Sequence, residues 1–194
     1  MNVSLFTWFN SFAGQSNFFD WFVTFCAVTL SFLVIAGVVI FMLIHTDDRY
    51  QKGNMIQHIK QRIPEIALVF IATLFAWGIS DILKHLFHIA RPFITLPHVH
   101  TLFTESNFSF PSMHATFFAA LTAAVYLYHR KAGVVLAICT FFIGIARIIA
   151  GVHYPFDIFV GFILGAVISA LVYRLLSKLW ARHKGKVDYF AKNL

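Results

Sequence analysis

Three polar segments stand at the ends of apolar stretches. The first is Lys84-His85-Leu86-Phe87-His88-Ile89-Ala90-Arg91-Pro92, and the second is Pro111-Ser112-Met113-His114. The third runs from Arg147 through Gly151-Val152-His153-Tyr154-Pro155-Phe156 to Asp157. Lys84 and Arg91 are seven residues apart, about two helical turns, a spacing that predicts one shared helix face. Pro92 then predicts the end of that helix. An ammonium and a guanidinium fork on one face converge on an anion with several oxygens. Pro111-Ser112 reads as a helix start capped by Ser112, with the backbone N–H groups of Met113 and His114 left for an anion. His153 and Asp157 are four apart across a proline suited to a first helical turn, so the carboxylate can reach the imidazole, fix its tautomer and favour its cation. Each segment alone has a plainer reading: a snorkelling lysine, an ordinary cap, a hydrogen-bonded histidine.

Together they fit phosphoryl transfer. Cations and amides neutralise the phosphoryl oxygens in the transition state. One histidine can attack phosphorus, and the other can protonate the leaving oxygen and then activate water. The segments hold no carboxylate cluster for divalent ions, so the expected chemistry uses no metal and no cofactor.

These residues need a scaffold, and composition names it. Of 194 residues, 59% are hydrophobic and only 12% charged, which excludes an ordinary soluble globule and a disordered chain. The expectation is one all-α polytopic membrane domain over residues 1–194, with the motifs at 84–157. Apolar stretches at 18–44, 64–87, 112–128, 133–150 and 155–176 predict about five transmembrane helices, the third being the shortest. Residues 1–17, with Leu5, Phe6, Trp8, Phe9 and Phe12, predict a short interfacial helix. Cys26 and Cys139 lie in apolar stretches and define no disulfide framework.

Twelve of the 15 basic residues fall on one side of a five-span topology. They are Arg49, Lys52, Lys60, Arg62, Arg130, Lys131, Arg174, Lys178, Arg182, Lys184, Lys186 and Lys192. Basic loops stay in the cytoplasm, which places the N-terminus outside, the C-terminus inside and all three motifs on the extracytoplasmic face. The net charge of +7 is then explained by anionic lipid heads, without nucleic acid. Lys84, Arg91 and Arg147 remain on the charge-poor side, where a charge near lipid marks a function by default.

Lys84 to Arg91-Pro92, Pro111-Ser112-Met113-His114, and Ala146-Arg147 through His153 to Asp157 together resemble the three signatures of the type 2 phosphatidic acid phosphatases. The resemblance implies a membrane lipid phosphatase with His153 as nucleophile, Asp157 as its orienter and His114 as general acid and base. It implies that Lys84, Arg91, Ser112, Met113 (through its amide) and Arg147 bind phosphate. Met113 stands where the pattern has Gly and Ala146 where it has Ser, departures that bear on substrate range.

Arg91-Pro92-Phe93, Val99-His100-Thr101-Leu102 and Ser109-Phe110-Pro111-Ser112 resemble the small bacterial undecaprenyl diphosphate phosphatases of that family. The resemblance implies a bacterial plasma-membrane enzyme turning undecaprenyl diphosphate into undecaprenyl phosphate. The alternatives are a phosphatidylglycerophosphate or phosphatidate phosphatase, a lipid phosphotransferase, or a non-catalytic lipid-phosphate transporter. His98, His100 and Glu105 read as polar loop residues before a metal or distal-phosphate site. His85 and His88 flank the first motif, Asp81 is a partner for Lys84, and Gly161 and Gly165 are spaced for close helix packing.

Overall fold

In hydrocarbon the backbone must satisfy its own hydrogen bonds, so apolar runs of this length become helices. The computed structural model describes residues 2–45 and 55–192, and every regular element among them is helical. The order is α1 (Asn2–Asn10), α2 (Asn17–Thr24), a π-helical turn (Phe25–Thr29), α3 (Leu30–Ile44), α4 (Met55–Phe87), α5 (Pro92–Thr95), α6 (Met113–Tyr128), α7 (Arg130–Ile149) and α8 (Pro155–Lys192). Arg49 and Lys52 of the first basic loop lie outside the described residues, as do the side chains of Lys60, Arg182, Lys184, Lys186 and Lys192.

Among the described residues, four stretches are long and apolar enough to cross a membrane: Asn17–Ile44, Glu65–Thr95, Arg130–Ile149 and Pro155–Trp180. The fifth expected span, α6, has 16 residues, about 24 Å at 1.5 Å per residue. Its shortness has a packing reason. It is the hub of the bundle, with α4, α7 and α8 all against it. Its Ala115, Ala120 and Ala124 are fully or almost fully buried, so neighbouring backbones approach closely. Gly161 and Gly165 of α8 face it. A Cβ at Gly161 would lie 2.7 Å from Ala115 Cβ and 3.0 Å from Ser112 O, and one at Gly165 would strike the Thr116 carbonyl.

The end of α4, the start of α6, the end of α7, the start of α8 and the 96–112 loop gather at one end of the bundle. Helix α1 joins them and is more than an interfacial helix. Trp8 is exposed, but Phe6 is fully buried against Tyr154. Asn10 Nδ2 donates to His100 O (2.8 Å) and Ile149 O (2.9 Å), tying the N-terminal helix to the loop and to α7. At the opposite end, Arg62 donates to Met42 O (2.8 Å) and His45 O (2.7 Å), and to Glu65 Oε1 (3.1 Å), which also lies 2.5 Å from His129 Nε2. This buried network joins α3, α4 and α6.

Candidate active site

Helix α4 carries Lys84 in its last turn and stops at Phe87, with His88 in the left-handed region at φ 51°. Arg91 is extended (φ −73°, ψ 155°) and precedes α5, whose first residue is Pro92. This corrects the expected shared face: Lys84 and Arg91 are not on one continuous helix, and Pro92 opens a helical turn instead of closing one. The residue before proline is driven out of the helical region, and proline suits a first-turn position. The break turns the chain, and both side chains, each 1% exposed, still enter one cavity.

The 96–112 loop supplies their acceptors. Lys84 Nζ donates to Phe108 O and to Ser109 O. Arg91 Nε donates to Asn107 O (2.7 Å), Nη2 to Asn107 Oδ1 (2.5 Å) and Nη1 to Val152 O (2.8 Å). Arg91 Nη2 also lies 2.5 Å from Glu105 Oε2. Arg147, 1% exposed, pairs through Nη2 with Glu105 Oε1 and donates from Nη1 to Ala27 O in the π-helical turn (3.4 Å). Its Nε is buried without a hydrogen-bond partner among the described residues. Widened turns of this kind recur at functional sites.

Ser112 caps α6, accepting from the Ala115 amide at 3.4 Å, and is fully buried. It does not line the cavity; it starts the helix that presents Met113 and His114 to it. The Met113 and His114 amides, in the first turn, have no intrahelical acceptor. Met113 Sδ receives the Asn107 amide at 3.8 Å, so the residue in place of glycine packs against the Asn that holds Arg91. Ala146 is buried with Val23, Cys26 and Ala27, so its lost hydroxyl would have faced packed side chains.

His153 follows Gly151, which is left-handed at φ 82° and whose missing Cβ would lie 2.8 Å from His100 O. Only glycine fits there, and the loop closes over it. His153 Nδ1 is 3.5 Å from Asp157 Oδ2 and 3.4 Å from Ser109 Oγ. Ser109 Oγ donates to Asp157 Oδ2 (2.5 Å), which also accepts the Tyr154 amide (2.8 Å). Ser109 thus spends its proton on the carboxylate and offers a lone pair toward Nδ1. This favours the proton on Nδ1 and leaves Nε2 with its lone pair, 3.3 Å from Arg91 Nη1. Burial pushes the His153 pKa well below 6.5, and Arg147 and Arg91 push the same way, so the ring stays neutral. Burial alone would raise Glu105, but Arg147 and Arg91 outweigh it and hold its carboxyl below the usual range.

Lys84, Arg91, Met113, His114, Arg147 and His153 line one cavity of about 770 Å³, and Asp157 lies behind His153. Its other wall is apolar, with Phe32 and Ile35 of α3, Trp77 of α4 and Phe117 of α6. Three contributors escaped the motif spacing: Glu105, Asn107 and Ser109. The available signal was the polar stretch Thr104-Glu105-Ser106-Asn107, with Ser109 after it, shortly before Pro111-Ser112 on a face otherwise poor in charge. Asp81 does not pair with Lys84; it lies 3.8 Å from His85. His85 and His88 are exposed and pack edge-on to Phe108. His98 and His100 are exposed loop residues, and among the described residues no three His, Cys, Asp or Glu side chains gather as a metal site.

An all-helical membrane bundle with cations and histidines at one end, opening on an apolar wall, defines a class of lipid phosphatase. Residues 65–181 match the PAP2 superfamily, and the chain belongs to it. It is 30% identical over 185 residues to the bacitracin transport permease protein BcrC of Bacillus licheniformis, covering 95% of this chain and 85% of that one. It is 36% identical over 85 residues to the undecaprenyl-diphosphatase BcrC of Bacillus subtilis (strain 168), covering 43% of this chain and 44% of that one. The crystal structure of Aquifex aeolicus LpxE superposes with a TM-score of 0.64 at 26% identity, covering 89% of this chain and 94% of that one. The chain is a multi-pass membrane lipid phosphatase, a hydrolase of phosphate esters or diphosphates.

Proposed function

We propose that this enzyme removes the terminal phosphate of undecaprenyl diphosphate at the extracytoplasmic face of a bacterial plasma membrane, through a phosphohistidine at His153. The observation that carries the reading is His153 itself: Nδ1 is backed by Ser109 and Asp157, and Nε2 is turned toward Arg91. In the first step the Nε2 lone pair attacks phosphorus, the bond to the bridging oxygen breaks, and His114 protonates the leaving lipid phosphate. In the second, water attacks the phosphohistidine as His114 takes its proton. The N–P bond breaks and orthophosphate leaves with neutral His153 restored. Arg91, Arg147, Lys84 and the amides of Met113 and His114 stabilise the charge on the transferring oxygens. Ser112 contributes by fixing those amides.

The cup is cationic, and Asp157 is held by Ser109 and the Tyr154 amide behind His153, so no divalent ion is invoked. The apolar wall suits a substrate whose tail stays in the bilayer. The diphosphatase relative supports the isoprenoid substrate. The basic residues of the opposite end support the extracytoplasmic site. A transporter would use the cations but gives no task to the Ser109–Asp157–His153 relay.

The test is phosphate release by full-length protein in detergent with chelator present, from undecaprenyl diphosphate, phosphatidylglycerophosphate, phosphatidate and lipid A phosphate. The expected result is the highest kcat/KM for undecaprenyl diphosphate, with loss of turnover in His153→Ala. Equal rates in that variant would remove the nucleophile. Labelling of Ser106→Cys by a membrane-impermeant thiol reagent on intact cells places the site outside; protection until the cells are broken would place it inside.

A further inference from the structure

The anion position of this site is already filled. Glu105 Oε2 sits 2.5 Å from Arg91 Nη2, and its Oε1 pairs with Arg147 Nη2. The same Oε2 lies 3.9 Å from His153 Nε2, the atom that must face phosphorus. A carboxylate and one face of a phosphoryl group offer guanidinium forks the same kind of paired oxygens. Both cannot hold the two arginines at once.

The partners differ in freedom. The Arg91 and Arg147 side chains are each 1% exposed, whereas that of Glu105 is 23% exposed. Arg91 is held by Asn107 and Val152, and Arg147 by Ala27. The loop is pinned on either side of Glu105, by the Leu102 amide on Ala150 O (3.2 Å) and by Asn107 O on Arg91 Nε (2.7 Å). The cations are fixed, and the carboxylate is the group with a route to water.

We infer that Glu105 is a tethered competitor for the phosphate seat, neutralising Arg91 and Arg147 in the resting site, yielding them to the substrate phosphoryl group and reclaiming them as orthophosphate leaves. Without it the empty site would hold two buried cations facing each other, a costly arrangement. Because it is tethered, its effective concentration at the arginines is high and independent of dilution. It therefore weakens every oxyanion that uses the pair, product included, and speeds product release. The inference rests on the phosphatase reading of the site and adds a residue that sets its affinity for phosphate.

The probes are orthophosphate and tungstate, tested on full-length protein in detergent micelles. The expected result is inhibition by both about tenfold tighter in Glu105→Ala than in the parent, with Glu105→Gln between them. Tungstate should also raise the thermal midpoint of Glu105→Ala more than that of the parent, a readout that survives loss of stability in the variant. Equal or weaker oxyanion affinity in Glu105→Ala would overturn the inference and make Glu105 a support for the arginines. The two readings fail separately. Tungstate that tightens on a protein with no lipid phosphatase activity sinks the activity alone. A parent that hydrolyses lipid phosphate, with a variant that binds tungstate no tighter, sinks the competitor alone.

Discussion

Ser109 Oγ lies 2.5 Å from Asp157 Oδ2 and 3.4 Å from His153 Nδ1, so a hydroxyl sits against both the carboxylate and the imidazole it serves. The proton order follows: serine to carboxylate, imidazole Nδ1 toward serine, and a free lone pair at Nε2. Ser109→Ala removes a charge-assisted hydrogen bond worth about 1.5–3 kcal/mol. The expected outcome is a fall in kcat of roughly ten- to a hundredfold with KM little changed. A variant with raised KM and full kcat would make Ser109 a substrate contact instead.

Arg147→Lys keeps the charge but loses the fork that reaches Glu105 and Ala27 at once. Arginine and lysine are not equivalent at such a site. We expect kcat/KM to fall by about a hundredfold, or about 2.7 kcal/mol of transition-state stabilisation. Steady-state kinetics on lipid phosphate measures it, and a loss under threefold would place Arg147 outside the transition-state contacts.

On the proposed mechanism, the acid limb of the pH profile reports His153 as the nucleophile. Burial, then Arg147 and Arg91, push its pKa well below the ordinary 6.5. The folded ring is neutral where the unfolded ring takes a proton, so below about pH 6.5 the unfolded state binds more protons and stability falls as pH drops. The same shift keeps the Nε2 lone pair free in mild acid, as the proposed attack on phosphorus requires. The acid limb of kcat/KM, corrected for substrate ionisation, should therefore lie below pH 6.5. A limb centred at an ordinary histidine value would contradict it.

Gly161→Ala places a methyl 2.7 Å from Ala115 Cβ and 3.0 Å from Ser112 O, at the start of the helix that carries His114. Overpacking of this kind costs about 1–3 kcal/mol. A lower thermal midpoint and lower kcat are expected together, because the clash pushes the Ser112 cap. Wild-type kcat at a lowered midpoint would show that the cap tolerates displacement.

Glu65→Ala acts at the far end. Glu65 is fully buried, 3.1 Å from Arg62 Nη2 and 2.5 Å from His129 Nε2. Removing it takes the Glu65 counter-charge from the buried Arg62, which keeps its bonds to the Met42 and His45 carbonyls, a change that typically costs about 3–5 kcal/mol. We expect a clear drop in thermal midpoint with unchanged turnover per folded molecule. Loss of turnover in the folded fraction would mean that this network couples to the catalytic end.

Particular residues mark how far the sequence reaches. Lys84, Arg91, His114, Arg147 and His153 were legible as one group because each stands at a helix end, and helix ends follow from hydropathy. The cap at Ser112 and the glycine contacts of α8 were legible for the same local reason. The shared face of Lys84 and Arg91 was not, because the break after Phe87 and the extended Arg91 are set by the proline and by the loop carbonyls that receive the two cations.

Hydropathy along one dimension therefore determined a helical membrane protein with Lys84, Arg91, Arg147, His114 and His153 at one end, since the bilayer leaves an apolar chain no other way to satisfy its backbone. The tertiary structure alone decided that Glu105 lies across Arg91 and Arg147, that Asn107 holds Arg91, and that Ser109 sits between Asp157 and His153. Those contacts span 14 to 48 residues of sequence and are made by an irregular loop. A loop has no period to read, so its side chains find their partners only when the helix ends beneath it are in place.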